Sequence, residues 1–148
     1  MTTGLDQPLR ELGIAMRAVL DRVRADTAGT ELVVELRVDP DFALPGGVDD
    51  RSPAGQVVGV IGEHGFAAGF EQGIEAACAR VMNVVQDDLV DARGRPWPEA
   101  ADGDGSGLGV LEVSCEPLGI AHWSLRAHPL CPVGHLVETC RALGWHVL

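Results

Sequence analysis

Leu108-Gly-Val-Leu-Glu-Val-Ser-Cys115-Glu-Pro-Leu-Gly119-Ile-Ala-His-Trp123-Ser-Leu-Arg-Ala127 decides the fold class of this chain. Two apolar segments, Leu108 to Cys115 and Gly119 to Ala127, flank a Glu-Pro-Leu-Gly turn. That pattern predicts an antiparallel hairpin with Gly119 in the left-handed position of a three-residue loop. The register follows from matching faces. If Cys115 stands opposite Ala121, Val113 meets Trp123 and Leu111 meets Leu125 on one apolar face. Ser114/His122 and Glu112/Ser124 then share the other.

Upstream of the hairpin, Leu5, Leu9, Leu12, Met16, Val19 and Val23 recur at spacings of four and three, which predicts a helix of about 20 residues. Asp6 or Gln7 can cap it ahead of Pro8, and Arg17 with Asp21 is an i,i+4 pair. The same stripe would also suit a seam between two copies of the chain, which makes a homodimer a candidate assembly. Leu32, Val34, Leu36 and Val38 alternate as in a half-buried strand, and Gln56 to Gly62 reads as a more fully buried one. Gly59 and Gly62 there signal close backbone approach or a bulge. The intervening 39–55 stretch is rich in breakers and reads as a solvated loop. Its Asp39, Asp41, Asp49 and Asp50 lack the spacing of a calcium loop.

Phe70, Ile74, Ala77, Cys78, Val81, Val85 and Leu89 trace a second helix ending before Gly94. Its solvent side is predicted to carry Glu71, Glu75, Asp87 and Asp91. Residues 93–107 read as a surface connector, stiff at Arg95-Pro96-Trp97-Pro98 and flexible at the Gly-rich end. A short helix from Pro132 or Val133 to Leu143, with Gly144 as its stop, and an apolar tail adding an edge strand complete the chain. The expectation is one α+β domain spanning 1–148 in the order α-β-β-α-β-β-α. Its antiparallel sheet has four to five strands, two long helices on one face and a short C-terminal helix.

Twenty-two acidic residues against eleven basic ones leave a formal charge of −11 over 148 residues. That balance repels phosphate backbones and anionic lipid, so nucleic acid and membrane are poor partners. No apolar run approaches a bilayer span, and no leader pattern opens the chain, so a cytoplasmic location is expected. The four Cys show no close pairing and read as free thiols.

Several constellations invite chemistry. His128, Cys131 and His135 have the ligand types of a zinc site, with Cys140 and His146 nearby. On the expected helix, however, His135 and Cys140 point about 140° apart. Cys131 ahead of Pro132 would be a helix N-cap, where a thiol is acidified and His128 or His135 could serve as its base, as in a small cysteine enzyme. Glu112, Ser114, His122 and Ser124 gather on the hairpin's polar face without a nucleophile-elbow pattern. Glu63-His64 reads as a polar turn ahead of the second helix. Gly59, Gly62, Gly65 and Gly69 lack the spacing of a phosphate loop. Trp97 between two prolines is either a rigid anchor for a partner or a plug folded over the core.

Arg95-Pro96-Trp97-Pro98-Glu99 after Gln86-Asp87-Asp88, with Trp123 on a strand and Gly134 to Leu136 near the end, resembles a pattern in short uncharacterised proteins of high-GC bacteria. In those proteins the proline-tryptophan run precedes a Cys-Pro-x-His element and a later Trp-x-Cys-Pro, which implies a metal-binding module. Here Ala100 and Ala101 stand where the first ligands would be, and Cys131-Pro132 echoes the second element. The element order also resembles the dimeric, acidic chaperones that escort secreted effector proteins. The resulting expectation is a non-catalytic, acidic protein-binding domain of adaptor, immunity or chaperone type, with a basic partner and no cofactor. Trp97, Glu71, Glu75, Asp87 and Asp91 are its candidate contact residues. The alternatives are a metal-dependent or cysteine enzyme using His128, Cys131 and His135, and an acidic mimic of nucleic acid.

Overall fold

The computed structural model describes residues 6–41 and 52–148. Helix α1 spans Asp6–Thr27, and strand β1 spans Val34–Val38. Strands β2 (Val57–Ile61) and β3 (His64–Ala67) follow, then helix α2 (Ile74–Arg93). Strands β4 (Glu99–Ala101), β5 (Gly107–Ser114), β6 (His122–Leu125) and β7 (His128–Pro132) lead into helix α3 (Leu136–Ala142) and strand β8 (His146–Val147).

The α+β class is as expected, but the strands form two antiparallel sheets instead of one. The first is ordered β1-β2-β3 and the second β7-β6-β5-β4-β8. The sequence reading places β3 in a turn and β4 in a connector, and it leaves β7 between the hairpin and the last helix with no strand of its own. Calcium ligands at Asp49 and Asp50 fall outside the described residues.

Stripe periodicity explains the helices. Leu12, Val19 and Val23 of α1 are buried, as are Ala77, Cys78, Val81, Met82, Val85 and Leu89 of α2. The two helices pack on each other, α1 also against β1 and α3, and α2 against β5. Arg17 and Asp21 are exposed and form no ion pair among the described residues. In the first sheet Gly59 pairs with Phe66, whose ring crosses it. A Cβ on Gly59 would fall 2.2 Å from the Phe66 ring, so the close approach anticipated there demands glycine.

The hairpin register is the anticipated one: Leu111↔Leu125, Glu112↔Ser124, Val113↔Trp123 and Ser114↔His122. Its connection is longer than a three-residue loop, because pairing stops at Ser114 and resumes at His122. Gly119 is nonetheless left-handed, at φ 74°. The tail adds an edge strand, with Ala100 opposite Val147. One apolar core draws on both sheets, from Val34, Val57 and Phe66 to Leu111 and Trp123. Among the described residues no helix is long and apolar enough to cross a membrane.

Candidate functional site

The C-terminal half of α1 carries polar side chains on its buried side, and they hold the second sheet in place. Asp26, only 4% exposed, accepts N–H bonds from Trp123 Nε1 at 2.8 Å, Gly134 at 2.7 Å and Leu136 at 3.0 Å. Burial pushes its carboxyl pKa up, and the three N–H donors pull it back. One turn earlier, Arg22 donates from Nε to the Val133 carbonyl at 2.9 Å. Its other nitrogens reach both Glu75 oxygens at 2.9 and 3.0 Å and the Ala121 carbonyl at 3.3 Å. Glu75 Oε1 in turn accepts the Ala121 N–H. Gly134, at φ 106°, lies so close that a Cβ would sit 3.2 Å from the Arg22 side chain. Two strand ends, 121–123 and 133–136, are thus clamped to α1 and α2.

An apolar groove lies next to the clamped segments, with Ile120, His122 and Pro132 in its lining. At one end a hollow of about 220 Å³ is lined by Leu118, Ile120, His122, Pro129, Leu130, Cys131 and Pro132. Leu130 also lines the neighbouring depression of about 570 Å³, with Glu138, Thr139, Ala142 and Leu143. The groove therefore crosses β7, from the hairpin turn to α3. Leu118, Ile120 and Leu143 expose 54%, 48% and 50% of their surface. Clustered leucine and isoleucine left this open to water mark a contact surface more often than a scattered one does. Sequence reasoning missed it, although Leu118 and Ile120 beside Gly119 are an unusually apolar choice for a turn.

The residues singled out from sequence fall elsewhere. Trp97 is 3% exposed, with its ring edge-on to Trp123 at 6.0 Å, so it plugs the core and offers no exposed anchor. Glu75 is spent on Arg22 and Ala121. Glu71 sits in the turn Phe70–Gln72 ahead of α2, while Asp87 and Asp91 are exposed on α2 beside Arg80 and Asn83.

Cys131 caps no helix. It is buried in β7, and α3 begins five residues later, at Leu136 behind His135. Burial pushes its thiol up to about 11, the reverse of an activated nucleophile. Cys140 is also buried and raised, and burial pushes Cys78 up to about 12. His128 and His135 are exposed, and His135 pairs with Glu138. Among the described residues no three His, Cys, Asp or Glu side chains are grouped to hold a metal ion. The hairpin's polar residues do not make a relay either. His122 is buried and donates from Nδ1 to the Ile120 carbonyl at 2.7 Å, while Ser114 Oγ bonds the Glu116 backbone. His64 belongs to β3 and faces Asp88 at 3.5 Å.

No family model, curated protein or solved structure matches the chain.

Proposed function

We propose that the protein is a binding domain that docks a basic protein partner in the groove across β7. The observation that carries this reading is the pair of hollows that share Leu130, one lined by the exposed Leu118 and Ile120 and the other by the exposed Leu143. Pro129 and Pro132 lack N–H groups, so β7 is a poor template for strand addition, and recognition falls to side chains entering the groove. Charge selects the partner. A second copy would bring another −11 against the first, whereas a basic surface is drawn in, and Glu138 lines the α3 end of the groove to meet it. Four unpaired thiols suit a reducing compartment and support a cytoplasmic setting.

Photo-crosslinking in the native cell tests this. A crosslinker at position 118 or 143 is expected to trap one defined basic protein that a crosslinker at Glu11 on α1 does not. Adding Leu130→Asp should abolish the adduct. Adducts of equal yield from all three positions, or only an adduct of two copies of this chain, would overturn the reading.

A further inference from the structure

Strand β1 forms one edge of the first sheet, and its outer side is open. Asp39 donates its N–H to the Gln56 carbonyl at 2.8 Å, directly across the strand pair. Arg37 and Glu35, two and four residues earlier, therefore turn their backbone groups toward β2, while Val34, Leu36 and Val38 turn theirs away from it. Arg24 reaches the Val34 carbonyl at 3.4 Å. Among the described residues the backbone groups of Leu36 and Val38 have no partner. The other edges are blunted: Arg80 donates to the Ala67 carbonyl on β3, β7 carries Pro129 and Pro132, and β8 is two residues long.

The sequence of β1 is self-complementary in charge. Val34-Glu35-Leu36-Arg37-Val38 carries an acid and a base at equal distances from Leu36, and both are exposed. In an antiparallel pair of two copies centred on Leu36, Glu35 of each copy faces Arg37 of the other. That pair falls at a non-hydrogen-bonded position, where facing side chains come closest, at about 4.5–5.5 Å between Cβ atoms. The two Leu36 residues exchange N–H···O bonds, and Val34 does so with Val38. Sliding the pair by two residues, the smallest step that keeps the outward groups matched, sets Glu35 against Glu35 or Arg37 against Arg37. Charges that only guard an edge repel a copy best when they share a sign, and here they alternate.

We infer that β1 is a homodimerisation edge, which joins the first sheets of two copies into one antiparallel sheet centred on Leu36. The net charge of −11 on each copy opposes association at long range, but at physiological ionic strength it is screened beyond about 8 Å, and the facing Glu and Arg side chains lie inside that distance. One short strand buries little area, so the dimer is a dissociable one in the micromolar range. The edge belongs to the first sheet and the groove to β7 and α3, so the inference goes beyond the groove reading and is tested separately.

The experiment is sedimentation velocity of the full chain in about 0.15 M salt, at protein concentrations up to about 1 mM. The wild-type chain is expected to dimerise as concentration rises. Exchange of the Leu36 and Val38 amide protons should slow in step, while those of Glu35 and Arg37, already bonded to β2, stay protected throughout. Glu35→Arg and Arg37→Glu should each weaken the dimer about tenfold or more, because each sets like charges face to face. Mixing the two variants in equal amounts should restore dimers, since each supplies the sign that the other lacks. Glu35→Arg also lowers the net negative charge, so association limited by overall repulsion would tighten in that variant. If circular dichroism shows either single variant unfolded, the double variant Glu35→Arg/Arg37→Glu replaces it and should dimerise like the wild type. The inference is overturned by a wild-type chain that stays monomeric to about 1 mM. A tightened Glu35→Arg dimer, a mixture no more associated than its components, or a folded double variant that stays monomeric would also overturn it. So would Leu36 and Val38 amides that exchange equally fast at every concentration.

Discussion

Glu75 gives two oxygens to Arg22 and one of them also to the Ala121 N–H. The Arg22 bonds hold its carboxyl below the ordinary value of 4.5, with burial opposing. A carboxylate with a depressed folded value adds stability that is fully present above the unfolded value and is lost as pH falls through the folded one. Asp26 has the opposite sign, because burial raises it. As pH falls, the folded chain takes up that proton before the unfolded chain does, and the cost of burying the charge is relieved. Glu75→Gln should therefore flatten the loss of stability below about pH 4.5 in urea melts taken at a series of acid pH values. An unchanged slope would remove the clamp's electrostatic account. Arg22 and Asp26 were within reach of the sequence, since they are four residues apart on the same side as Val19 and Val23. An acid on an apolar stripe is a signal that something will donate to it, though not which strand ends will.

Strand β7 escaped sequence reading for an identifiable reason. It joins β6 through the two residues Arg126 and Ala127, both at positive φ, 52° and 66°. Two-residue hairpins of this kind normally carry Asn-Gly, and without that marker Arg126-Ala127 reads as the end of the strand running from Gly119 to Ala127. A side chain in the left-handed region costs about 1 kcal/mol. Ala127→Gly is accordingly expected to raise the unfolding temperature by about 2–4 °C, read by circular dichroism, provided the turn's strain outweighs glycine's extra unfolded-state entropy. A lower unfolding temperature would show that the entropy term wins. β3 was hidden similarly, behind Gly62-Glu63. By contrast, the β5–β6 register was legible, since only one alignment puts Leu111, Val113, Trp123 and Leu125 on a common face. The α3 start was misplaced because Pro132 reads equally well as a first helical residue or as the end of an edge strand.

Across the whole molecule, two sheets share one interior, bridged by α1 and α2. Their separation was not legible, because a list of strands carries no information on which edges meet. The shared core has a measurable consequence: the chain should unfold as one cooperative unit. All three tryptophans, at 97, 123 and 145, report on the second sheet and its surroundings, whereas far-ultraviolet circular dichroism reports on every helix and strand. Urea transitions followed by fluorescence and by circular dichroism should coincide. A fluorescence midpoint displaced from the other would mean that the β1-β2-β3 sheet melts separately. The candidate groove was illegible at this scale too, since Leu118 and Leu143 lie far apart in the chain and line two hollows that share Leu130.

Cys78, Cys131 and Cys140 are buried with their thiols held protonated, while Cys115, at the start of the hairpin connection, is partly open to water. Maleimide chemistry on the native fold is thereby directed to a single sulfur, so a fluorophore or spin label can be attached to the unaltered sequence, close to the turn that leads into the groove.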